Sequence, residues 1–182
     1  MSAPDHGRRR FLSAAGLAGA SLLLGRSALA DLMARDRRSL SFLNTHTGER
    51  VSGVYWADGR YLPDALACID RVLRDHRTGD VITVDRQLLD VLHALRLDLG
   101  TSAPFHVISC YRSPKTNGKL RAAGRAVAEN SLHMQGKAMD VRLPGVALDD
   151  LHRAAVARKA GGVGYYSGPR FVHVDVGRVR YW

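Results

Sequence analysis

Apolar and polar positions alternate twice between residues 39 and 56, along Ser39-Leu40-Ser41-Phe42-Leu43 and again from Val51 to Trp56. Thr47-Gly48 lies between the two runs, and alternation on both sides of a turn predicts a β-hairpin. Asp58-Gly59-Arg60 closes its second strand. Beyond it the period lengthens from two to that of a helix. Leu66, Ile69, Val72 and Leu73 follow Pro63-Asp64 at helical spacing, with Gly79 as the stop. Leu88, Leu89, Leu92 and Leu95 follow a capping Asp85 and predict a second helix ending near Gly100.

Phe105 to Ser109 reads as a buried strand running into Tyr111-Arg112-Ser113-Pro114. Pro114 disfavours helix at Ser113 and leaves Arg112 on an extended corner at the strand end. Asn117 to Ala123 predicts a short helix, Gly124 to Asn130 a loop and Ala138 to Leu143 a strand. Leu148 to Ala160 predicts a helix stopped by Gly161-Gly162. Val163 to Tyr166 and Phe171 to Val176 then pair through Ser167-Gly168-Pro169 as an antiparallel hairpin. The sum is an α+β fold, a small and mostly antiparallel sheet with helices gathered on one side. The sheet is expected to carry the site.

The first thirty residues stand apart. Arg8-Arg9-Arg10-Phe11-Leu12 leads into an apolar run from Ala14 to Leu24 and then Ala28-Leu29-Ala30. A basic start, a short apolar middle and a small-residue exit describe a bacterial export signal. The arginine pair before Phe-Leu matches the twin-arginine variety, and the run is too short and Gly/Ala-rich to span a bilayer. Cleavage after Ala30 leaves a single domain, residues 31–182, in the periplasm, with no stable membrane insertion and a monomer as the expected state. The chain carries a formal +10 and the signal accounts for +3, so the remainder keeps +7. Such a charge suits an anionic polymer, and an exported address argues against nucleic acid. Cys68 and Cys110 are the only cysteines. Sequence leaves open whether they form one bridge or two buried thiols, and without a CxxC pair neither reads as a metal ligand.

Candidate chemistry gathers in Ser131 to Asp140 and Phe171 to Asp175. His133 precedes a Gly136 turn, and Asp140 lies in the strand that follows. His173 and Asp175, two apart on a strand, share a face with Phe171. If the two strands are neighbours, His133, Asp140 and His173 converge on one ion. Two imidazoles and one carboxylate, with a fourth position left to water, suit a catalytic zinc. The isolated His76, His93, His106 and His152 read as ordinary core or capping residues. Asn117 and Ser131 either bind substrate or cap and turn the chain, and Met134 and Met139 read as packing. His46 reads as a turn residue or as a tether of the amino-terminal hairpin to the site rim.

Several motifs together carry a family resemblance: Leu43-x-x-His46-Thr47-Gly48-Glu49, Ser109-x-Tyr111-Arg112-Ser113, Ser131-x-His133-x-x-Gly136-x-Ala138-x-Asp140, Gly162-x-Gly164-x-Tyr166 and Phe171-Val172-His173-x-Asp175. They resemble the MepK family of murein endopeptidases. Its wider group includes the zinc D-Ala-D-Ala carboxypeptidases and shares the hedgehog/lysostaphin-type site. The resemblance spans essentially the whole chain. It implies a hedgehog/D-Ala-D-Ala peptidase-like fold, zinc held by His133, Asp140 and His173, and hydrolysis of peptide cross-links in peptidoglycan. Bonds joining two diaminopimelate residues would be favoured, with D-Ala–diaminopimelate bonds as further candidates. Arg112 matches the arginine that relatives use near the scissile carbonyl or a substrate carboxylate, a task suited to a guanidinium fork.

One departure bears on mechanism. Many relatives place a general-base Glu three residues before the last zinc histidine, or a second His two before it. Here those places hold Arg170 and Phe171. Asp175, the nearest carboxylate by strand geometry, either accepts a proton from the zinc water or orients His173. Tyr166 or unaided zinc-hydroxide chemistry stands in reserve. A zinc-containing module that binds wall peptides without cutting them, and a D,D- or L,D-carboxypeptidase trimming stem ends, are the alternative readings.

Overall fold

The computed structural model describes residues 37–182 apart from Ala126, so the export signal expected in residues 1–30 lies outside the described residues. Eight strands form one sheet: β1 (Arg37–Asn44), β2 (Arg50–Ala57), β3 (Arg60–Tyr61), β4 (Phe105–Ser109), β5 (Ala138–Arg142), β6 (Gly162–Tyr166), β7 (Phe171–Asp175) and β8 (Arg180–Tyr181). Their order is β3-β2-β1-β4-β5-β7-β6-β8. All neighbours are antiparallel except β1 with β4 and β6 with β8. The helices are α1 (Pro63–Val72), α2 (Arg86–Asp98), α3 (Pro114–Ala122) and α4 (Leu148–Arg158), with a 3₁₀ turn at Leu132–Gln135. The fold is α+β, as the periodicities imply. Among the described residues no helix is long and apolar enough to cross a membrane.

Alternation along the strands divides the sheet into two faces. Leu40 and Phe42 of β1, Phe105 and Val107 of β4, Met139 and Val141 of β5, and Val172 and Val174 of β7 all enter one core. Leu66 and Ile69 of α1, Leu88, Leu89, Leu92 and Leu95 of α2, and Leu151 of α4 cover that face. Fully burying one such leucine is worth roughly 1.5–3 kcal/mol. The residues in between, including Asp140 and His173, face the other way. There the short α3 stands, with polar Thr116 and Asn117 as its buried residues.

Local chemistry explains the element ends. Asp85 accepts a hydrogen bond from the Gln87 amide at 2.9 Å and caps α2 as expected. α1 ends at Val72 rather than running to Gly79. Asp75 draws the following residues into a turn: its carboxylate accepts from the Arg77 amide and its carbonyl from the Gly79 amide. α3 begins at Pro114, three residues before the expected start, because Ser113 caps it by accepting from the Thr116 amide at 3.2 Å. Cys68 and Cys110 are both free thiols. Cys110 is buried as the apolar strand implies, whereas Cys68 lies exposed on α1 and not in the core.

Candidate metal centre and substrate cleft

β5 and β7 are neighbours, and their register sets Asp140 opposite His173 and Ala138 opposite Asp175. His133 arrives from the 3₁₀ turn, which Ser131 caps by accepting from the His133 amide. The Arg112 amide donates to the His133 carbonyl at 3.2 Å and ties that turn to the end of β4. His133 Nδ1 donates to the Cys110 carbonyl at 2.7 Å, which fixes the tautomer and turns Nε2 toward Asp140, 3.4 Å from Oδ1. His173 Nδ1 lies 2.9 Å from the same oxygen. One ligand atom from each of the three buried residues lies within 4.8 Å of the others. Two imidazole nitrogens and a carboxylate oxygen, two of them steered by outer hydrogen bonds, form a donor set that suits zinc.

The far side of His173 is held as firmly. Its Nε2 lies 3.0 Å from Asp175 Oδ2. Asp175 is fully buried; the Gly162 and Gly177 amides donate to Oδ1 at 2.9 Å each, and Arg180 adds a fork to both oxygens. Gly161 and Gly162 serve this approach rather than stopping α4, which already ends at Lys159 in the left-handed region. A Cβ at Gly162 would stand 2.5 Å from Asp175 Oδ2. Burial works against ionisation of Asp140 and Asp175. His133 and His173 outweigh it at Asp140, and His173, Arg180 and the two amides outweigh it at Asp175, so both carboxyls stay well below the usual range. Burial lowers the His173 pKa, but the two flanking carboxylates prevail and raise it.

A cleft of about 230 Å³ opens over His133, Asp140 and His173. Arg112, 8% exposed, lines it, with Nη1 3.4 Å from Asn117 Oδ1. Its buried Nε has no hydrogen-bond partner among the described residues. Asn117 also donates to the Ala128 and Glu129 carbonyls, linking the loop after α3 to the cleft. Behind Arg112, the Ser113 amide and hydroxyl both donate to Asp75, at 2.9 and 2.7 Å. Burial opposes ionisation of Asp75, but these and neighbouring donors hold its pKa down to about 2. The opposite wall is aromatic. Tyr166 and Phe171 stack at 4.5 Å, and Trp182 Nε1 donates to the Tyr166 hydroxyl at 2.9 Å. The Trp182 ring stands 5.2 Å from that of His173.

The structure thus brings His133, Asp140, His173 and Arg112 into one cleft, while Asp175 sits behind His173 and does not line it. Arg170, three residues before His173, lines a different cavity. His46 lies elsewhere, stacked on His76 at 3.9 Å, with Nε2 3.1 Å from the Ile108 carbonyl. Sequence reasoning passed over Arg180, Trp182 and Asp75. Gly164 holds the signal for Trp182: it sits opposite His173 in the sheet, and a Cβ there would come within 2.6 Å of the indole.

Comparison with known proteins finds relatives along nearly the whole chain. A family profile described as "Peptidoglycan L,D-endopeptidase MepK" matches residues 32–182. The chain is 41% identical over 179 residues to the peptidoglycan L,D-endopeptidase MepK of Escherichia coli (strain K12), covering 98% of each chain. It shows the same identity and coverage to the protein of that name from Shigella flexneri. It is 39% identical over 183 residues to the probable peptidoglycan L,D-endopeptidase MepK of Haemophilus influenzae, covering 100% of this chain and 98% of that one. The chain belongs to the MepK family.

Proposed function

We propose that this chain is a zinc-dependent murein endopeptidase that hydrolyses peptide cross-links of peptidoglycan, with diaminopimelate–diaminopimelate bonds preferred. The twin-arginine signal of residues 1–30 would deliver residues 31–182 to the periplasm as a single domain. The observation that carries the reading is the convergence of His133 Nε2, Asp140 Oδ1 and His173 Nδ1 beneath a cleft that also contains a buried arginine. Family membership supports the same class of substrate.

His133, Asp140 and His173 would hold the ion, which when bound supplies a Lewis acid and water of lowered pKa. The chain's own groups supply the rest. Arg112, whose Nε has no partner among the described residues, offers a fixed positive charge to the oxygen of the scissile carbonyl or to a neighbouring carboxylate. Hydrolysis places a hydroxyl on the carbonyl carbon and a proton on the departing nitrogen. The geometry of Asp175 supports the orienting role, since all its partners hold it behind the imidazole. Of the cleft-lining groups, the Tyr166 hydroxyl, positioned by Trp182, is then left to pass a proton.

Digestion of defined cross-linked muropeptides, with and without chelator, tests the reading. Dimers should fall to monomers with metal present and persist when it is removed, and likewise persist with His133→Ala or Asp140→Ala. Full activity in chelator or in either variant refutes the metal assignment. Retention of sacculi without cleavage would make the chain a binding module. Tetrapeptides released from uncross-linked pentapeptides would make it a carboxypeptidase.

A further inference from the structure

A second cavity, of about 300 Å³, opens on the sheet beyond the metal cleft, at the end of β5. His106, Arg142 and Arg170 line it above apolar residues that include Leu143, Val146 and Leu148, and no Asp or Glu is among its lining residues. His106 and Arg142 are direct cross-strand partners between β4 and β5. Arg142, two residues from Asp140, shares its face, so the cationic group starts about 7 Å along the strand from a metal ligand. Continuing the Val141–Val172 pairing by one residue sets Arg142 beside Phe171, which lines the metal cleft. Arg170 immediately precedes Phe171 and takes a left-handed backbone, φ 57°. Leu148 and Leu151 of α4, which also line the cavity, pack on the core side of the sheet, so the cavity opens at the end of the sheet, while Phe171 lines the metal cleft.

The charge of this second chamber is unbalanced. Among the described residues, neither Arg142 nor Arg170 takes part in an ion pair, although six other arginines do. Burial, then Arg142 and Arg50, lower the His106 pKa, and the two guanidiniums carry the cavity's fixed positive charge. Like charges gathered on one cavity repel unless an anion joins them. An apolar floor under two guanidinium forks fits a carboxylate on a short aliphatic stem.

We propose that this cavity, at the end of the sheet that carries the metal cleft, is a second substrate subsite, holding a free carboxylate of the peptide strand at a distance from the scissile bond. The proposal rests on the peptide-cross-link reading but not on turnover. It adds a specificity element that the metal ligands do not supply.

Calorimetric titration of the full-length, metal-loaded protein with two matched cross-linked stem-peptide dimers, their scissile amide replaced by a non-hydrolysable isostere, tests it, one with its remote carboxylates free and one with them amidated. The free acid should bind at least tenfold more tightly, since a charge-assisted pair is worth about 1.5–3 kcal/mol. Arg142→Gln and Arg170→Gln should each remove most of that advantage while leaving affinity for the amidated dimer, metal content and thermal midpoint unchanged. Equal affinity of the wild type for both dimers, or an equal loss on both in the variants, overturns the subsite. If the free-acid preference appears and vanishes in the variants while the native amide-linked dimer is not cleaved, the subsite stands and the endopeptidase reading alone falls.

Discussion

Asp175 holds the Nε2 edge of His173 at 3.0 Å, on the side of the ring away from Asp140. The ring thus presents Nδ1 to the metal position and cannot turn without breaking a buried, charge-assisted contact. Asp175→Asn preserves shape and removes charge. Zinc affinity, read by competition with a chromogenic chelator, should fall about 10–100-fold. Unchanged affinity with a collapsed rate would instead assign Asp175 the role of base.

Arg112 lines the cleft with Nη1 3.4 Å from Asn117 Oδ1 and a buried Nε that has no hydrogen-bond partner among the described residues, so under the proposed function it is assigned to substrate. Arg112→Lys keeps the charge but loses the fork and the Nε donor. The kcat on a cross-linked dimer should drop about 10²–10³-fold with zinc content unchanged. Metal loss in this variant would show that Arg112 acts on the His133 turn through its backbone and not on substrate.

Asp75 links stability to pH. Its folded pKa of about 2 lies below the unfolded carboxylate value of about 3.9. The stabilisation is therefore full above that unfolded value and is lost as pH falls toward 2. Asp75→Asn should cost about 2 kcal/mol at neutral pH in denaturant unfolding. The gap between wild type and variant should narrow below about pH 4. A gap that stays constant down to pH 2 would show that the carboxylate charge contributes nothing.

Gly164 leaves room for the Trp182 indole. Gly164→Ala should push that ring away from Tyr166 and His173, raising KM several-fold and changing the intrinsic tryptophan fluorescence, with the metal retained. Trp182→Ala should raise KM in the same way. Identical kinetics in both variants and wild type would remove Trp182 from the substrate wall.

The convergence of His133, Asp140 and His173 was legible because its parts lie in two short segments whose strand parity can be counted: Asp140 and His173 needed only the assumption that their strands touch. The hairpins and the two leucine-rich helices were legible for the same reason, as local periodicity. Asp75 and Arg180 were not. Asp75 meets Ser113 across 38 residues of sequence, and no local pattern marks an acid that serves a distant turn. Arg180 follows the site on a strand of two residues, too short to show any alternation. The early end of α1 was missed because a side-chain turn at Asp75 competed with helix continuation, a contest that apolar spacing does not register.

The pairing of Asp140 with His173 ties the candidate site to folding through parity. Met139 and Val174 fill the interior with the same backbone hydrogen bonds that align the two ligands on the outer surface. Sliding β7 by a single position would bury His173 among leucines and carry Val174 to the solvent side. The interior leucines and valines therefore police the alignment of the candidate metal ligands: a slipped register would cost the core its packing as well as the site its geometry.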